Sequence, residues 1–197
     1  PILAAVLVVA FTTVVTMCMV DGITKKSVAA MLGTIIGVVF SGAFALIFGQ
    51  VTSITGYNVS DIENLVYVGE MTDIKIGELL FAGILIASLG AVMDVGMSIA
   101  STLNELKEQN PQMMLKELFQ SGMNVGRDMM GTMTNTLILA FTGGSINTLV
   151  FIFAYNYEYQ QVINMYSVGI EIMQGLSSSL GVIMAVPVTS WIAAFLY

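Results

Sequence analysis

The chain of 197 residues contains no histidine and one cysteine. The first absence excludes His-ligated zinc, Ser-His-Asp triads and imidazole proton relays, so any proton the chain moves must pass through carboxylates. The second excludes an internal disulfide and a cysteine metal site. Cys18 lies inside an apolar run and reads as a small buried hydrophobe. Charge is also scarce: 10% of residues are Asp, Glu, Lys or Arg, against about 25% in an average soluble domain. Acids outnumber bases by 13 to 6, and the net charge of −7 argues against nucleic acid as a partner.

Apolar residues fill the space that charge leaves. They make up 56% of the chain, and the mean hydropathy is +0.88. They come in runs of roughly 18 to 27, the length that a hydrocarbon core about 30 Å thick demands of a spanning helix. Runs over 2–20, 28–54, 77–103, 121–142 and 163–195 predict five spans of an all-α, polytopic transmembrane helix bundle, a single domain covering 1–197. The stretch 143–158 breaks the fourth run at TGGSIN and reads as a turn followed by a short re-entrant or interfacial helix, with a sixth span as the alternative. The first run begins at Pro1 with no basic flank, as expected of a membrane domain cut from a longer protein whose N-terminal part lay outside the bilayer.

Basic residues set the expected orientation. Lys25, Lys26, Lys107 and Lys116 fall between spans one and two and between spans three and four, while Lys75 alone lies on the other side. The positive-inside rule then puts the N-terminus outside a cytoplasmic membrane and the C-terminus inside. The loop 56–77 carries Asp61, Glu63, Glu70 and Asp73, and Ser60 with Glu63 makes a capping box for a short surface helix. Asn110-Pro111 restarts a helix, and PQMMLKELFQ has the apolar spacing of an interfacial one.

Four charges fall within apolar spans: Asp94, Arg127, Asp128 and Glu171. Each costs about 2.5–3.5 kcal/mol near the bilayer centre, which makes such residues functional candidates. Asp94 and Arg127 both stand roughly 9 to 14 Å from the inner edge at 1.5 Å per residue, so neighbouring antiparallel helices could pair them. Thr132 and Asn135 follow Asp128 at i+4 and i+7, and Ser98 and Ser101 follow Asp94 in the same way, giving each helix a polar face. Two readings stay open. The carboxylates form a proton relay with Arg127 tuning an acid beside it, or a buried ion pair simply fixes helix register. Glu171 reads equally as a second relay carboxylate and as an interfacial partner.

Small residues suggest close helix contacts at Gly33 and Gly37, at Gly122 and Gly126, and along span three at Gly90, Gly96 and Ala100. The 15 methionines are scattered and read as packing, not as a soft-metal path. Pro187, with Ser177, Ser178 and Ser179 upstream, predicts a kinked or locally opened last helix.

The stretches GAVMDVGMSIASTLNELKEQNP, GMNVGRDMMGTMTNTLILAFTGGS and SSSLGVIMAVPVTSWIAAF resemble the YibE/YibF family of prokaryotic membrane proteins over most of the chain. More distantly, the order of features is similar to the membrane domains of SecD and SecF in the RND superfamily: Asp94, then Arg127 with Thr132, Thr136 and Gly143-Gly144, then Ser178-Ser179 and Pro187. That resemblance implies an RND half lacking its first helix, with Asp94 and Arg127 on a proton pathway. It also implies a homodimer or a pairing with a related membrane chain. Asp128 beside Arg127 and the insertion LVFIFAYNYEYQQ depart from the pattern.

The resulting expectation is a proton-coupled transporter or export-assisting module, with unknown substrate, in the bacterial inner membrane. Asp94, Arg127, Asp128, Thr132, Asn135 and Glu171 line its relay, and no cofactor is implied. The competing readings are an assembly partner whose ion pair only fixes packing, and a cation carrier in which Asp94, Asp128 and Glu171 form one oxygen site. No nucleophile and base stand at catalytic spacing, so an enzyme is not expected.

Overall fold

The computed structural model describes residues 1–58, 62–72 and 74–197, apart from the side chain of Asn64. Ser60, Asp61 and Asp73, invoked above for the acidic loop and its cap, lie outside the described residues. The described chain is helical throughout, with no strand: α1 (Ile2–Asp21), α2 (Lys25–Thr52), α3 (Ile62–Met71), α4 (Leu79–Gln109), α5 (Leu115–Gly144), α6 (Ile146–Ala154), α7 (Tyr159–Ile163) and α8 (Tyr166–Leu196). Four helices, α1, α2, α4 and α8, are long and apolar enough to cross a membrane. The pair α5 and α6, bent by 55°, makes a fifth if counted as one broken span. The five apolar runs thus correspond to helices, and the turn expected at TGGSIN is a bend at Ser145 followed by the short helix α6.

Local chemistry sets the boundaries. α1 ends where Gly22 takes φ +68°, a left-handed backbone that glycine adopts without strain, and its N–H donates to the Cys18 carbonyl at 3.1 Å. Asp21 and Lys26 form an ion pair across the turn. α2 starts at the N-cap Thr24, whose Oγ1 accepts from the Ser27 N–H at 3.2 Å. Thr24→Ala should lower stability by about 1 kcal/mol, read as a drop in the thermal midpoint of the detergent-purified chain; an unchanged midpoint would show that the cap is dispensable. At the same end of the bundle, Lys107 Nζ donates to the Met113 carbonyl at 2.8 Å, closing the turn between α4 and α5. There the helix restarts at Leu115, not Pro111: the Glu117 carboxylate accepts from the Met114 N–H at 2.9 Å, and α5 runs on into the bundle without a break. PQMMLKELFQ is therefore the turn and first coils of α5, not a separate interfacial helix.

α8 is the centre of the bundle. It packs on α2, α5 and α4, α4 packs on α2 and α5, and α1 leans against α2 and α4. Large side chains such as Leu3, Phe11, Leu139, Phe153 and Phe195 are exposed on the outside, as lipid-facing residues are. Inside, the seams are built from small residues. A Cβ on Gly33 would run into Thr189. One on Gly37 would stand 2.7 Å from Val92 and 2.8 Å from Ala185, and one on Gly181 would stand 2.7 Å from the Ser41 Cβ. A Cβ on Gly96 would stand 3.0 Å from Thr34 Oγ1 and one on Gly122 2.7 Å from Ser190 Oγ, and Gly126 is pressed on Val186. Gly90 stands apart: nothing approaches its Cβ position within 4 Å, so it belongs to no helix seam. Pro187 sits inside a continuous α8, where its missing N–H leaves the Ile183 carbonyl without its i+4 donor. The far end of α8 is pinned by Tyr197, whose hydroxyl donates to Asn104 Oδ1 at 2.6 Å; burial, and then the nearby Glu108, push that hydroxyl up to about 12. Cys18 is half-buried instead of fully enclosed.

Candidate functional site

Helical geometry decides where the intramembrane charges point. α4 buries Val92, Val95, Gly96, Ile99 and Leu103 against its neighbours, and at about 100° per residue Asp94 falls on the opposite face. α5 buries Leu118, Gly122 and Gly126, an i, i+4 stripe that meets Leu103, Ser190 and Val186. Arg127 and Asp128 then lie about 100° and 200° round from Gly126. All three charged side chains are exposed on the surface of the chain, as are Thr132 and Asn135; Ser101 continues the outward stripe of Asp94, with Ser98 half-buried between. Among the described residues the ion pairs are Asp21 with Lys26, Lys75 with Glu78, and the terminal ammonium with Glu78. The expected pair Asp94–Arg127 does not form: both side chains are exposed, Asp94 opposite the buried stripe of α4 and Arg127 to the side of that of α5. Thr132 Oγ1 donates back to the Met129 carbonyl at 3.0 Å and Thr136 Oγ1 to the Thr132 carbonyl at 3.0 Å, so these hydroxyls keep acceptor capacity on the outward face.

Depth is also revised. α4 extends to Gln109, which puts Asp94 about 23 Å from that helix end, near the middle of a helix that starts at Leu79. Arg127 lies about 18 Å into α5. The three charges are therefore at mid-helix on two packed neighbours, facing away from the chain's own core.

Glu171 is elsewhere. It is half-buried on α8 and lines a cavity of about 320 Å³ between the end of α5, the start of α6 and the first turns of α8. The nearest cavity residue on α5 is Ile138, about 16 Å along the helix from Arg127. Among the described residues no three Asp, Glu, His or Cys side chains gather to hold a metal ion, so Asp94, Asp128 and Glu171 do not make the joint cation site considered above.

A further group was not legible as a site in the sequence. Thr34 and Ser41 of α2 and Ser177, Ser178, Ser179, Thr189 and Ser190 of α8 are buried, and their hydroxyls find no hydrogen-bond partner. Thr34 and Thr189 flank Gly96 and Ser41 faces Gly181, which places these three at the α2–α8 seam, while Ser190 faces Gly122 of α5. From Ser177 to Thr189 the α8 hydroxyls span about 18 Å of the helix. Unmade hydrogen bonds are expensive in a low-dielectric interior, which makes this seam sensitive to any polar group that enters it. Its signal in the sequence is the hydroxyls of α2 spaced at seven residues, opposite glycine and serine on α8.

No curated protein and no solved structure shows a significant match to the chain, so the likeness to the SecD and SecF membrane domains finds no support there. The family described as YibE/F-like protein matches residues 1–197, the whole length. With long apolar helices enclosing a core of small residues, this is a helical membrane protein, and it belongs to the YibE/F-like family.

Proposed function

We propose that the chain is one half of a proton-coupled transport or export-assisting module of the bacterial inner membrane, completed by a second copy or a related membrane chain. The observation that carries this is the exposure of Asp94, Arg127 and Asp128 at mid-helix on the outer surface of α4 and α5, two helices that pack together. Three charges against hydrocarbon would cost several kcal/mol, at about 2.5–3.5 each, so that surface must meet a partner or an aqueous path. Asp94 is the protonatable site and Arg127 and Asp128 set its electrostatics, while Thr132 and Asn135 supply hydrogen-bonding groups along the path. The module performs no covalent chemistry. The lysine distribution supports a topology with the turns at Lys25 and Lys107 on the cytoplasmic side.

The test is proton uptake in proteoliposomes loaded with a pH-sensitive dye. Asp94→Asn should bring uptake to the level of empty liposomes while gel filtration of the purified variant stays as in the wild type. Uptake equal to the wild type would remove Asp94 from the pathway. It would favour the second reading, an assembly partner whose outward charges dock another chain, which the lack of an ion partner for Asp94 among the described residues also supports.

A further inference from the structure

The cavity at Glu171 is mostly apolar, with its few polar groups toward one end. α5 and α8 are antiparallel here, so the cavity has two ends. At one, Thr142, Ser145, Thr148, Ser167 and Glu171 stand among Leu149 and Val168; the other, deeper in the bundle, is lined by Ile138, Phe141, Ile172 and Leu176. Glu171 is the one ionisable residue of the lining and pairs with no cation among the described residues. Thr142 and Ser145 donate to the Ile138 and Phe141 carbonyls at 2.7 and 3.0 Å, which leaves their oxygens as acceptors. That end therefore holds one carboxylate among hydroxyls and apolar side chains, and offers no positive side chain.

Depth agrees with this arrangement. Glu171 lies five residues into α8, about 8 Å from its start, where a helix longer than the hydrocarbon core passes through the headgroup region. Tyr155, Tyr157, Tyr159 and Tyr166 are exposed around the same end, as aromatic side chains are at a membrane interface. The volume sits at the lower end of the range for small-molecule sites, about 300–1,000 Å³.

From these features we infer that the cavity between α5 and α8 is a binding site for a single-chain cationic amphiphile, its ammonium head at Glu171 and its alkyl tail between Phe141 and Leu176. A bilayer phospholipid fits less well, since its phosphate would meet Glu171 with no basic residue to offset it, and it brings two chains to a narrow space. The site is separate from the charges at Asp94 and Arg127, and its test does not depend on proton movement.

The experiment uses the full chain in nanodiscs and a dodecylammonium probe with a diazirine in its tail, photolysed and mapped by peptide mass spectrometry. Label is expected on α5 around Ile138–Phe141 and on α8 around Ile172–Leu176. Excess dodecyltrimethylammonium should reduce it at least ten-fold, and dodecanol or dodecyl phosphate should not. Glu171→Gln should reduce labelling at least ten-fold. Gly175→Leu should do the same by filling the cavity, since a Cβ there is 3.6 Å from the Phe141 ring and the longer side chain extends past it. Competition by dodecanol as strong as by the ammonium would overturn the proposal and leave a groove for any lipid tail. Equal labelling of folded Glu171→Gln would do so as well. If either variant fails to fold, the competition on the wild-type chain still decides.

Discussion

Gly33→Val and Gly126→Val should each leave little folded protein, with any surviving fraction melting far below the wild type, whereas Gly90→Ala should melt slightly above it. The contrast follows from what each new Cβ meets. At Gly33 it overlaps the Thr189 hydroxyl and lies 2.8 Å from Thr189 Cβ and 3.1 Å from its Cα, so rotating a side chain gives no relief and α8 itself must move. At Gly126 the obstacle is Val186, whose χ1 is stiff and whose Cβ is 3.1 Å away. Overpacking typically costs about 1–3 kcal/mol, and more when backbone is displaced. Both seams run through α8, the helix that holds the other three packed helices together, so the damage spreads beyond one pair. Gly90 has open space around it, and alanine there gains the advantage over glycine in a helix, about 0.5–1 kcal/mol. Thermal melts followed by fluorescence-detected gel filtration give the ranking directly. A Gly33→Val chain with the wild-type midpoint would mean that the α2–α8 seam is not closed in the membrane.

Replacing Asp94, Arg127 and Asp128 together by leucine should preserve helical content and convert an associated chain into a monomer. Each of these side chains is exposed on the isolated chain, and each costs about 2.5–3.5 kcal/mol against lipid. Association that covers them recovers much of that energy, so it supplies a drive that leucine removes. Photobleaching step counts of a fluorescently labelled chain in dilute liposomes distinguish the states. Two steps for the wild type and one for the triple variant are expected. A wild type that bleaches in one step would refute a partner of identical sequence and direct attention to a related chain.

The five apolar runs were enough to place α1, α2, α4, α5 and α8, because in a bilayer helix length and hydropathy are nearly the same constraint. They also placed the break after Gly144. What failed was the expected pairing of Asp94 with Arg127. On α5 the inward face is marked by Gly122 and Gly126, and on α4 by Gly96, while Arg127, Asp128 and Asp94 mark the outward one. Equal depth on adjacent helices is necessary for an ion pair, but rotation about the helix axis decides it. The seven buried hydroxyls were missed for a related reason: serine and threonine are weak signals singly, and only the fold stacks those of α2 on those of α8. The roles of Asp94, Arg127, Asp128, Thr132, Asn135 and Glu171 rest on residue type and spacing, and the experiments above address them.

The attachment of α5 has a mechanical consequence. Its buried residues, Leu118, Gly122 and Gly126, all lie in its first half, and the remainder extends about 27 Å from Gly126 to Gly144 with no fully enclosed side chain. α5 is thus clamped firmly at its glycine end and held more loosely beyond it by half-buried Met129, Met130, Met133 and Leu137, with α6 angled by 55° from its tip. A tilt of about 10° at the clamp would carry Gly144 through about 5 Å, on the geometry of a rise of about 1.5 Å per residue. Force applied to α6 from outside the bilayer would therefore widen or close the wedge at Glu171 without repacking any glycine seam.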